Sequence, residues 1–202
     1  MKVAIFGASG RTGVLLVEKA LAAGHSVVAF LRNPAKLTIQ HERLSTVQGD
    51  FHNLEKVEEA VRGVDAVLTV AAPSRVGLEN IIQAMKKHGV RRLISATGAG
   101  VPDPDDRPRL IHKAIDLLIR VLSPEAYKNG IGQVEAIRAS ELDWTIVRAP
   151  MLTDQPGDGN YRVGYVGKDM GFQLSRTDLA EFMLKQLNDS TYLRKAPVVS
   201  KK

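Results

Sequence analysis

Three glycines at three-residue spacing constrain this chain more than any other feature. Lys2-Val3-Ala4-Ile5-Phe6 is a short apolar run of β-forming residues, and it leads straight into Gly7-Ala8-Ser9-Gly10-Arg11-Thr12-Gly13, behind which an amphipathic segment begins. A strand that turns at once into a helix needs glycine where φ is positive and where two backbones meet closely. Such a turn points free backbone N–H groups and the positive end of the helix dipole at one spot, which is a seat for a diphosphate. A turn that needs glycines for its backbone angles alone would read the same way. The strand before and the helix after favour the dinucleotide-binding reading.

The rest of the first half repeats strand and helix at short spacing. Val14, Leu15, Leu16, Leu21 and Ala22 supply an apolar helix face that ends at Gly24. Ser26 to Leu31 is nearly continuous in apolar residues, as a parallel strand covered on both faces should be. Leu44 to Gln48, Asp65 to Val70 and Arg92 to Ala96 read as further strands, with helices from about Asn53 to Val61 and through Glu79, Ile82 and Met85. This alternation predicts an α/β fold: a doubly wound parallel sheet, or Rossmann fold, in a single domain with ligands beyond the carboxyl ends of the strands. Residues 1–202 form that domain, and about 150–202 contribute a substrate-side loop and a C-terminal helix.

Chemistry gathers at the strand ends. After the second strand, a carboxylate would bind a ribose 2′-hydroxyl and select NAD, whereas an arginine accommodates the 2′-phosphate of NADP. Arg32 holds that place, Arg11 lies in the glycine turn, and no acidic residue occurs between Gly24 and Gln40. NADP(H) is therefore favoured over NAD(H). Asp50 is placed to hold the adenine edge or to begin the next helix, and the two roles are not exclusive. Ala71-Ala72-Pro73 after the fourth strand would let a cofactor pass close to the backbone.

Beyond Val101 the pattern loosens. A loop with three prolines spans Pro102 to Pro108, and an apolar helical stretch from Leu110 to Leu122 carries His112 and Lys113, read as a solvated face in preference to a contact with an anionic substrate. Ser123-Pro124-Glu125 starts another helix, with the serine as cap, and Gly130 and Gly132 weaken its middle. Asp143 to Val147 is a sixth strand, Tyr161 to Val166 a short one, and Ser175 to about Leu187 a helix. Ala196 to Ser200 is expected at the sheet edge.

Composition excludes several classes. No cysteine occurs among the 202 residues, which removes a disulfide framework, a thiolate metal site and a cysteine nucleophile, and fits a reducing cytoplasm. No apolar run approaches the ~20 residues that span a bilayer, and the N-terminal one breaks at Gly7, unlike a signal peptide. The expectation is a soluble, cytoplasmic protein without membrane contact, a monomer or weak homodimer. The five histidines are never closer than eleven residues, so no helical metal pair exists and no metal is expected. The formal charge of +6 is dispersed, with its densest cluster at Lys86, Lys87, His88, Arg91 and Arg92. No nucleic-acid motif accompanies it, and an anionic small molecule explains it better than a nucleic acid.

Several stretches together carry a resemblance. The glycine turn, Gly49-Asp50, Met85-Lys86-Lys87-His88-Gly89-Val90, Leu142-Asp143-Trp144-Thr145-Ile146-Val147-Arg148-Ala149-Pro150 and Ser175-Arg176-Thr177-Asp178-Leu179-Ala180 resemble the atypical short-chain dehydrogenases/reductases. Within these they are similar to the NAD(P)H-binding, NmrA-like group that contains biliverdin-IXβ reductase (flavin reductase). The resemblance implies cofactor roles for Gly7, Ser9, Gly10, Arg11, Thr12, Gly13, Arg32, Asp50 and Phe51. It implies nicotinamide-side contacts at Ala71, Ala72, Thr97, Pro150, Met151 and Leu152.

The departures concern proton donors. Standard members use Tyr-x-x-x-Lys, the lysine lowering the tyrosine pKa. The matching tyrosine is Tyr127, but position 131 is isoleucine; the flavin reductase's serine appears as Gly98 and its histidine as Met151. Thr97 and Tyr127 are the remaining catalytic candidates. Two functions follow as expectations: an NADPH-dependent reductase of a planar, electron-poor acceptor such as a flavin or quinone, whose proton can come from water, or a non-catalytic redox sensor that presents its surface to a protein partner.

Overall fold

The computed structural model describes the chain apart from residues 72, 168 and 169 and, within the fourth helix, the side chains of 113, 115, 116 and 119. The first strand sets the layering. In β1 (Lys2–Phe6) the side chains alternate: Val3 and Ile5 enter one apolar cluster, and Ala4 and Phe6 the other. Both sides are buried because helices cover both faces, which is why such strands read as continuous apolar runs.

On one side of β1 lie β2 (Ser26–Leu31) and then β3 (Leu44–Gln48), and on its other side lies β4 (Ala66–Thr69). β5 (Arg92–Gly98) and β6 (Asp143–Ala149) follow, and all six run parallel in the order β3-β2-β1-β4-β5-β6. The chain leaves β1 in one direction and returns to its other side as β4. That reversal opens a crevice at the carboxyl ends of β1 and β4.

Helix α1 (Arg11–Ala22) covers one face together with α6 (Arg176–Lys185), while α2 (Leu54–Val61), α3 (Arg75–Lys87) and α5 (Pro124–Arg138) cover the other. Helix α4 (Leu110–Leu122) lies outside these layers, with Leu110, Leu117, Val121 and Leu122 exposed. The parallel-sheet expectation is met, and so are the strand positions.

The second half of the chain departs from expectation in four places. Ala196 to Ser200 was assigned to the sheet edge; instead β10 (Val198–Lys201) sits between β6 and an antiparallel β8 (Tyr161–Gly164), which is the true edge. A second, two-stranded sheet pairs β7 (Met151–Thr153) with β9 (Gln173–Ser175), and these three-residue strands are too short to leave a periodic signal. Helix α5 runs unbroken through Gly130, because a Cβ there would come within 2.8 Å of Val101: the glycine serves close packing. Ser123 occupies the N-cap of α5, yet its side chain makes no capping bond.

Candidate active site

Geometry at the glycine turn follows from backbone contact. Gly7 has φ +86°, and a Cβ on it would meet Ala71 at 2.9 Å, so the end of β1 lies directly against the end of β4. Gly13 is more confined: a Cβ there would fall 2.0 Å from the Gly7 carbonyl oxygen. The Gly10 N–H donates to that same carbonyl at 3.0 Å, closing the turn. Gly10 is also the N-cap of α1, and no side chain caps this helix and no acidic residue enters its first turn. Its leading N–H groups and dipole are thus left to an external anion. By these features the residues fit a diphosphate.

The neighbouring residues divide. Arg32, directly after β2, is exposed and has no ion-pair partner among the described residues; only its carbonyl is used, accepting from Gln48 at 3.2 Å. Arg11 is already committed: it pairs with Asp154 at 2.9 Å, and Asp154 also pairs with Arg176 at 2.7 Å. Since the Arg11 and Asp154 side chains are 72% and 62% exposed, the pair is weakly held. Asp50 does not begin a helix. Its carboxylate accepts from the His52 N–H at 2.9 Å, and Asn53 caps α2 by accepting from Lys56 at 3.1 Å. Phe51 faces inward, its ring 6.1 Å from Phe6 and 5.7 Å from Phe30. Ala72 lies outside the described residues.

Two hollows lie beyond the strand ends. The inner cleft, about 380 Å³, gathers Thr12, Ala71, Thr97, Tyr127, and Pro150 with Leu152, from five different segments. Val101 and the buried Gln133 also line it, Gln133 donating to the Pro73 carbonyl at 2.7 Å. Ile131, four residues after Tyr127, packs on the core. The guanidinium of Arg120 lies 4.8 Å over the Tyr127 ring.

The outer pocket, about 690 Å³, shares Gly98, Gly100, Ala149 and Pro150 with the inner cleft, so the two are continuous. Met151, 60% exposed, belongs to this outer pocket and not to the inner cleft. Its apolar walls include Phe172, Met170 and Val166.

A buried ion pair holds the pocket's floor. Arg148, 1% exposed, meets both oxygens of Asp106 at 2.8 Å and also donates to the carbonyls of Val101 and Ala196. Asp106 further accepts from the N–H groups of Asp103 and Val166 at 2.9 and 3.0 Å. One carboxylate therefore ties the three-proline loop to β6 and to the turn after β8. An arginine at the end of an apolar strand facing an acidic loop was the sequence signal for it, and alone it could not say which of three aspartates would pair. His112 was expected on a solvated face; it is half-buried, lines the outer pocket and stacks on Phe172 with ring centroids 6.0 Å apart.

Strand order, glycine turn and paired hollows define a Rossmann-type nucleotide-binding protein with a second compartment beside the cofactor crevice. Residues 7–190 match the NAD(P)H-binding family, and the chain belongs to it. Among curated relatives, a Streptomyces griseus (4-alkanoyl-5-oxo-2,5-dihydrofuran-3-yl)methyl phosphate reductase is 29% identical over 72% of this chain, which spans only 46% of that protein. A Veillonella parvula short-chain dehydrogenase/reductase structure superposes with a TM-score of 0.85 at 25% identity, covering 99% of this chain and 94% of that one; a further structure of a Veillonella parvula short-chain dehydrogenase/reductase is an NADP complex, with a TM-score of 0.82. ChuY, an anaerobillin reductase from Escherichia coli O157:H7, shares the fold with a TM-score of 0.81 at 19% identity, covering all of this chain and 97% of its own.

Proposed function

We propose that this chain is an NADPH-dependent oxidoreductase that passes hydride to a planar, electron-poor acceptor of the flavin or quinone type. One observation carries the reading: the inner cleft, which begins at Thr12 and Ala71 beside the glycine turn, opens into a larger apolar pocket through shared small residues. A cofactor laid along the first would present its reactive end to a flat molecule in the second. The reduced nicotinamide supplies the hydride; the protein supplies placement and a dry wall.

The chain's own residues would act as follows. Gly7, Ser9, Thr12 and Gly13 present backbone N–H groups to the diphosphate, Gly10, whose own N–H closes the turn, lets it approach the backbone, and Arg11 joins after release from Asp154. Arg32 receives the 2′-phosphate, and Asp50 and the backbone of Phe51, whose ring packs inward, border the adenine. Ala71, Thr97, Pro150 and Leu152 enclose the nicotinamide, and Thr97 and Tyr127 are the hydroxyls nearest the chemistry. An acceptor of this type takes its proton from water, so an isoleucine at position 131 is tolerated.

Surface chemistry supports a small-molecule partner over nucleic acid. Within the basic cluster, Lys87 pairs with Glu58 at 2.7 Å and Arg91 with Asp143 at 3.0 Å, while the Arg92 guanidinium turns inward to the Gln186 carbonyl. Among the described residues no helix is long and apolar enough to cross a membrane.

The alternative, a cofactor-responsive sensor without turnover, is favoured by that same isoleucine. Steady-state NADPH oxidation with riboflavin, FMN and a quinone panel separates the two. Saturable turnover supports the reductase; tight NADPH binding with no acceptor reduced refutes it and leaves the sensor.

A further inference from the structure

Three polar side chains line the outer pocket among the described residues, Asp103, Asp106 and His112, and two of them are spent. Asp106 is saturated by Arg148 and two backbone N–H groups, and Asp103 pairs with Arg138. The third is free on one side only. The backbone N–H of Arg109 donates to His112 Nδ1 at 3.1 Å, so that nitrogen must offer a lone pair. The neutral ring then carries its proton on Nε2, and no described residue accepts from it. Phe172 lies alongside the imidazole, ring centroids 6.0 Å apart at an interplanar angle of 21°.

We propose that His112 is a catalytic hydrogen-bond donor: its Nε2–H binds the carbonyl oxygen of an uncharged, flat, quinone-type acceptor lodged between Met151 and Phe172. This rests on the reductase reading and narrows it. An uncharged acceptor fits because the apolar walls desolvate whatever enters, and neither spent carboxylate rewards an anion. When the acceptor is reduced, the donor C–H bond breaks and its electron pair moves to the acceptor with the hydrogen. The acceptor's carbonyl oxygen becomes anionic and takes a proton from water; the imidazole keeps its own proton. A donor aimed at an oxygen that gains charge holds it more tightly as charge develops, which is the oxyanion-hole principle.

The test uses the full chain without cofactor, labelled with 15N-histidine, and 2-methyl-1,4-naphthoquinone as the probe. One imidazole, assigned by its loss in His112→Gln, should show the Nε2–H tautomer and shift when the naphthoquinone is added. A sulfonated naphthoquinone should leave it unmoved. Quinone affinity should fall about 5- to 10-fold in His112→Phe, the worth of one neutral hydrogen bond, and stay within about 3-fold in His112→Gln, whose amide keeps an N–H donor. NADPH affinity should be the same in both variants. An unshifted imidazole, equal binding of the sulfonated quinone, or undiminished affinity in His112→Phe overturns the proposal. If wild type oxidises NADPH with the quinone while any of these holds, the reductase reading survives and only the role of His112 falls; if wild type binds NADPH yet reduces no acceptor, the reductase reading itself fails.

Discussion

Removing the Asp106 carboxylate tests how the outer pocket is held. In Asp106→Ala, the Arg148 guanidinium, 1% exposed in the intact pair, would keep two carbonyl partners and no counter-charge. Breaking a buried pair by deleting one partner costs about 3–5 kcal/mol, because the survivor cannot regain its hydration. The two N–H groups that Asp106 accepts from, on Asp103 and Val166, add to the loss to the extent that they stay out of water. Replacing both partners by apolar residues of similar volume, as Asp106→Leu with Arg148→Met, removes the charge problem and should recover about 2 kcal/mol or more. Urea unfolding gives both quantities, provided the denaturant slope is common to the variants. Since the same carboxylate ties down the three-proline loop, acceptor KM should rise in Asp106→Ala with NADPH affinity unaltered. A loss below about 1 kcal/mol, or a double variant no more stable than the single one, would refute the reasoning.

Three further outcomes are expected. Arg32→Ala should weaken NADPH by about 1.5–3 kcal/mol and leave NADH nearly unchanged; calorimetry showing equal losses would remove Arg32 from the 2′-phosphate. Gly13→Ala forces a Cβ to within 2.0 Å of the Gly7 carbonyl, so thermal unfolding should register about 1–3 kcal/mol of destabilisation and NADPH should protect the variant less than wild type. His25 is held below its ordinary pKa of 6.5, first by burial and then by the N-terminal amino group, and its Nδ1 has no partner among the described residues. The unfolded chain therefore takes up this proton first, so the contribution is intact above about 6.5 and is lost as pH falls towards the lower folded value. His25→Gln should flatten that acid-side decline in Tm, and an unchanged decline would assign it to other groups.

The parallel half of the fold was legible because its signals are local. Residues 2–13 carry strand, turn and helix within one short stretch, and the apolar run at Ser26–Leu31 announces burial on both faces. Arg32 could be placed for a similar reason: its position follows from counting to the end of β2. Asp50 could not, since a carboxylate near a helix start caps equally well from several offsets, and Asn53 took the role.

The outer pocket was not legible because nothing local encodes it. His112 and Phe172 are sixty positions apart, and a helical histidine beside apolar residues reads the same whether it faces water or an aromatic ring. Arg148 and Asp106 identify each other only once β6 and the three-proline loop are folded together, and the place of β10 inside the sheet depends on an antiparallel partner that enters from the side. By itself, then, the sequence determined the Rossmann core, the glycine turn and the arginine beyond the second strand, since periodicity and backbone conformation are properties of neighbouring residues. Only the tertiary structure decided the shape of the outer pocket and the direction of its polar groups, because those depend on contacts between segments that the chain brings together from far apart.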